Sequence, residues 1–106
     1  MLLYKPNVYA DFSAQTFLLS TRELSVVLRS WLEFVPEKIL FGTDAFEITP
    51  EVGWPELAWL CNKSAREALA IALTGMIADA QVTRDQALEL ARLVLRDNAR
   101  KLYALP

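Results

Sequence analysis

The chain holds 106 residues, the size of one small domain, so a single domain is expected. Eleven Lys and Arg against thirteen Asp and Glu give a net charge of −2 and a pI near 5.1. The basic residues are scattered rather than gathered into a stripe, so the field that holds a polyphosphate backbone is missing and nucleic acid is not an expected partner.

Hydrophobic residues make up 54% of the sequence, above the ~45–50% of an ordinary globular chain. The excess predicts surface that another chain, or a further part of the same one, covers. Met1-Leu-Leu-Tyr-Lys-Pro6 has neither the basic start nor the apolar stretch of a signal peptide, and no uncharged run approaches a membrane span. Together with a single cysteine, Cys61, which can form no internal disulfide, this predicts a cytoplasmic protein without membrane contact. Cys61 reads as a small buried apolar residue, because there is no histidine to activate it.

In chain order, Asn7–Ser13 mixes Val, Tyr and Phe over a strand-sized length, and Pro6 blocks helical extension backwards, so a first strand is predicted there. Ser20-Thr-Arg-Glu23 has capping-box spacing, and Leu24, Val27, Leu28, Trp31 and Leu32 follow at helical intervals. The helix runs from Thr21 to Phe34 and is stopped by Pro36. Lys38–Gly42 is a continuous apolar run, the pattern of a strand buried on both faces of a parallel sheet. Strand, helix, strand makes a βαβ unit with parallel strands.

Pro55 suits the first turn of a long helix carrying Leu57, Cys61, Ala65, Ala68, Leu69, Ala72, Leu73 and Met76 on one stripe to about Ala80. Thr83 and Gln86 form a second capping pattern, ahead of Ala87, Leu88, Ala91, Val94 and Leu95. Asn98 is placed to cap a last short helix that packs Leu102 and Tyr103. The predicted class is therefore α/β and helix-rich: two parallel strands followed by three C-terminal helices, in a single domain spanning the whole chain. Two such strands leave unpaired edges and an apolar face, so either preceding strands of a larger fold or further copies of the chain must complete the sheet.

Lys38-Ile-Leu-Phe-Gly-Thr-Asp-Ala45, Trp54, Arg66-Glu-Ala-Leu69, Thr83-Arg-Asp-Gln-Ala87 and Asp97-Asn-Ala-Arg-Lys-Leu-Tyr103 occur in an order that resembles the C-terminal end of the amidohydrolase-related, metal-dependent TIM-barrel hydrolases. The likeness runs from the Asn7 strand to Leu105. It implies a partial (β/α)8 barrel, with Asn7–Ser13 and Lys38–Gly42 as its seventh and eighth strands. It also implies that Asp44, after the eighth, is the catalytic carboxylate that binds a divalent metal, zinc in the complete enzymes, and takes a proton from the attacking water. In that family the metal is held mainly by histidines, and this sequence has none. One aspartate is not a metal site, so no metal is expected in this chain alone.

Other candidates have plainer readings. Asp44 has a second, less favoured reading as a turn residue that caps local N–H groups, Asp11 reads as a solvated strand-end residue, and Trp31, Trp54 and Trp59 read as core or interface packing residues. Arg84, Arg92, Arg96 and Arg100 form a row on the last helices that reads as a solvated face. The expected function is the C-terminal fragment of a metal-dependent hydrolase, catalytically incomplete alone. The alternatives are a stand-alone structural or interaction module that self-associates through its strands, and a helper chain that docks onto a complementary barrel and supplies Asp44 to it.

Overall fold

The computed structural model describes residues 7–12, 19–42, 50–51 and 53–104, with the side chain of Trp54 excluded. Strand β1 (Ala10–Asp11) leads to helix α1 (Thr21–Phe34), strand β2 (Ile39–Leu40) and helix α2 (Trp54–Ala78). Helix α3 (Arg84–Arg92) then runs through a π turn (Leu93–Asp97) into α4 (Asn98–Leu102). The two strands pair in parallel, with Ala10 opposite Ile39 and Asp11 opposite Leu40. The helix-rich α/β class and the parallel strand pair expected from the sequence are both present.

The strands are shorter than the sequence predicts. Of the Asn7–Ser13 run only Ala10 and Asp11 are strand, and Ser13 lies outside the described residues. At the second strand, Pro36–Lys38 forms a 3-10 turn in which the Lys38 N–H reaches the Val35 carbonyl at 3.0 Å, so Lys38 belongs to the turn and not to the strand. An apolar run marks burial, but only a paired ladder makes a strand.

Helix α1 begins as its capping box dictates: the Ser20 hydroxyl accepts from the Glu23 N–H at 3.1 Å and the Glu23 carboxylate accepts from the Ser20 N–H at 3.2 Å. At the start of α2 the Glu56 carboxylate accepts from the Gly53 N–H at 3.1 Å. Thr83 and Gln86 close a second reciprocal box at the start of α3. Each satisfies N–H groups that the first helical turn leaves without intrahelical partners.

Leu24, Leu28 and Leu32 on one face of α1 meet Ala65, Ala68, Leu69, Ala72 and Met76 of α2, with Phe12, Ile39, Ala87 and Val94 completing the core. The alanines of α2 and Gly75 let α1 approach closely. A Cβ at Gly75 would sit 2.8 Å from Nη1 of Arg29, and that guanidinium ties α1 to the end of α2 through Asp79 and reaches Gln81 at 3.0 Å. Cys61 is buried, as its spacing implied.

Two helix ends depart from the sequence reading. The α2 helix stops at Ala78 because Ala80 takes the left-handed conformation, φ 59°. The Gln81 N–H then bonds the Met76 carbonyl and the Ala80 N–H the Ile77 carbonyl, the Schellman arrangement with alanine where glycine is usual. Asn98 does not cap a separate last helix. Its backbone is helical, its N–H reaches the Leu93 carbonyl across the π turn, and its side chain serves the sheet instead, while Tyr103 stays exposed.

Among the described residues no helix is long and apolar enough to cross a membrane.

Candidate functional site

Asp44, to which the resemblance assigned a catalytic and metal-binding role, lies outside the described residues, as do its neighbours from 43 to 49. Asp11 is exposed at the end of β1 and is engaged by a neighbouring group. Among the described residues no group of three or more Cys, Asp or Glu side chains is placed to hold a metal ion.

The sheet edge carries a polar arrangement that the sequence did not signal. In a parallel ladder the N–H and C=O of one residue point to the same side, and successive residues alternate. The Leu40 carbonyl accepts from the Phe12 N–H at 3.2 Å, so Leu40 faces β1 and Ile39 faces the opposite edge. There Nδ2 of buried Asn98 donates to the Ile39 carbonyl at 2.9 Å and to the Pro36 carbonyl at 2.7 Å. Both amide hydrogens are used, and the start of the β2 outer edge is closed by a side chain. The π turn positions that amide, since the wider turn changes which face Asn98 presents after Val94.

Two of the grooves beside α3 border its neighbours α1 and α2. The larger, about 660 Å³, lies between the end of α1 and the start of α3, with Leu32, Met76, Val82 and Leu90 as an apolar floor and Glu33, Asp85 and Glu89 at its rim. Two of those carboxylates are already paired, Glu33 with Arg29 at 3.2 Å and Glu89 with Arg92 at 2.6 Å. The smaller, about 320 Å³, runs between α2 and α3 along Ile77, Leu88, Ala91 and Leu95, with Arg66 and Arg84 at its lining.

Among the described residues, contacts at helix ends and between helices shift two groups. Hydrogen bonds from Ser20, its side chain first and its backbone second, hold the Glu23 carboxyl below the ordinary range. The hydrogen bond to Asp79 is the largest of the contacts that raise Arg29 above its usual value. Both groups serve helix ends and the α1–α2 contact, and neither lines a constellation of nucleophile, base and oxyanion donor. Trp59 lies outside the core, exposed, with Nζ of Lys63 5.3 Å from its ring centroid.

Compared with known proteins, the chain is 32% identical over 101 residues to Protein fluG of Emericella nidulans, an alignment that covers 94% of this chain and 11% of fluG. The chain thus spans about a ninth of the length of this relative. No family model matches the chain, and no solved structure matches it. These findings overturn the resemblance to the amidohydrolase-related hydrolases: similarity is found to fluG, and none to a hydrolase family.

The physical reason is the content of the motifs. Gly42-Thr-Asp44 is short, and the remaining matched segments are capping boxes and amphipathic stripes that any helix of this kind requires. The metal-binding and proton-accepting roles of Asp44 came with that resemblance and have no other support among the described residues.

Proposed function

We propose that this chain is a structural segment of a larger parallel α/β fold of the barrel kind, with no complete catalytic site of its own. The observation that carries this reading is the sheet: two parallel strands of two residues each. Parallel strands are a buried architecture, covered on both faces, and a two-stranded sheet is marginal without further strands.

Exposed Val26, Phe34 and Trp59, each more than three-fifths accessible, suit surface covered in a larger assembly. The match to a small part of a much longer fungal protein agrees with a segment that works inside a longer polypeptide.

Light scattering coupled to size exclusion, combined with amide hydrogen exchange, tests this. A segment awaiting completion exchanges fast at Ala10–Phe12 and Ile39–Leu40 while the α1–α2 core stays protected. A monodisperse 12.0 kDa species with strongly protected strand amides would instead make the chain self-sufficient. A concentration-dependent dimer with protected strands would favour a self-associating module.

A further inference from the structure

We propose that the groove between α2 and α3 receives an acidic amphipathic helix. Its floor is apolar, and two of its residues, Ile77 and Leu88, are 39% and 49% exposed. Leucine and isoleucine so placed cost stability unless apolar surface covers them. Its charged lining is cationic: Arg66 and Arg84 contribute to it beside the neutral Thr74, and no carboxylate does among the described residues. Neither arginine has an ion-pair partner among the described residues, whereas Arg92 and Arg96, farther along the same face, are paired with Glu89 and Asp97 at 2.6 and 2.9 Å. Two unpaired guanidiniums beside an apolar trough call for carboxylates on the occupant.

The length of the groove specifies the occupant further. On α2 the lining runs from Arg66 to Ile77, about eleven residues and so roughly 16 Å along the helix axis. That matches three turns of a helix laid in the trough with apolar residues at i, i+3, i+4 and i+7 and a carboxylate near each end, a common mode of helix recognition. A second copy of the chain is a poorer fit, because a two-fold pairing brings the same patch against itself and would set Arg66 and Arg84 against their own images. An anionic membrane would match the charge but is flat, and it cannot fill a trough.

The test uses the whole chain and a blocked synthetic peptide of about fourteen residues, long enough for three turns, with leucines on one face and a glutamate near each end. A second peptide carries lysines in place of the glutamates. Fluorescence anisotropy is expected to show saturable binding of the glutamate peptide, weakened about tenfold or more by Arg66→Glu with Arg84→Glu, and weakened by salt. Both arginines are exposed, so the double variant should keep the parent circular dichroism and melting temperature, and it should prefer the lysine peptide.

Equal binding of the two peptides by the parent chain would overturn the proposal, as would no binding up to millimolar concentration. It also falls if Leu88→Glu turns a dimer into a monomer, which would assign the groove to a second copy. Arginine-dependent binding to phosphatidylserine vesicles without binding of the glutamate peptide would overturn it in favour of a membrane.

Discussion

The amide of Asn98 closes the edge of β2 at Ile39, its Nδ2 lying 2.9 Å from the Ile39 carbonyl and 2.7 Å from that of Pro36. One side chain from the C-terminal helix therefore occupies both donors in satisfying carbonyls at the point where the 3-10 turn becomes strand. A buried carbonyl deprived of its donor costs about 1–3 kcal/mol. Asn98→Ala is expected to destabilise the chain by about 2–3 kcal/mol on that scale, read as a lowered urea midpoint. Asn98→Asp should be worse at neutral pH, because it aims a carboxylate at two carbonyl oxygens. Burial and those oxygens raise the carboxyl pKa of that variant in the folded state, so its stability should recover as pH falls and the acid can donate. A variant no less stable than the parent would refute the role assigned to this amide.

At the end of α2, Ala80 holds a left-handed backbone that favours glycine, φ 59°. The conformation costs an L-residue roughly 1–2 kcal/mol, part of which glycine returns through its greater freedom in the unfolded chain. Ala80→Gly should thus raise stability by up to about 1 kcal/mol. Thermal unfolding followed by circular dichroism measures it, and a lower melting temperature would contradict the Schellman ending.

Glu23 supplies a pH dependence whose sign follows from its contacts. Hydrogen bonds from Ser20 hold its carboxyl below the ordinary value when folded, so the unfolded chain binds the proton more readily. The stabilisation is present above the unfolded pKa and is lost as pH falls through the lowered folded one. Glu23→Gln keeps a side-chain oxygen for the Ser20 N–H but removes the titration. Compared with the parent in urea titrations from about pH 7 to about pH 3, this variant should lose less stability on acidification. An unchanged slope would mean that other carboxylates account for all of the acid sensitivity.

The purified chain is expected to hold no stoichiometric zinc or manganese. It has no histidine, and one carboxylate does not retain a hard or borderline divalent cation. Elemental analysis after gentle purification provides the measurement. One tightly held metal per chain, lost in Asp44→Ala, would restore a ligand role for that residue, shared with groups of another chain.

Local chemistry made much of the fold legible. The capping boxes at Ser20 and Thr83 and the apolar stripes of α1 and α2 link residues three or four positions apart, so their spacing in the sequence is the physical cause of the helices. The parallel pairing of β1 with β2 followed from an apolar run on either side of a crossover helix. Missing histidines were equally plain, and so was the burial of Cys61.

The rest depends on groups far apart in the chain. Asn98 and Ile39 are separated by 59 positions, and no local rule told the capping role expected of that asparagine from the edge-closing role it has. Ala80 ends a helix without the glycine that would have announced it, because Arg29 of α1 holds Asp79 and Gln81 on either side of it. The row of Arg84, Arg92, Arg96 and Arg100 looked like one solvated face. Only the packing of α3 against α2 separates Arg84, left beside an apolar trough with Arg66, from Arg92 and Arg96, neutralised by their own helix. Periodicity fixes which face of a helix is apolar, but the partner of each polar group is chosen by long-range packing, and tertiary structure alone decides it.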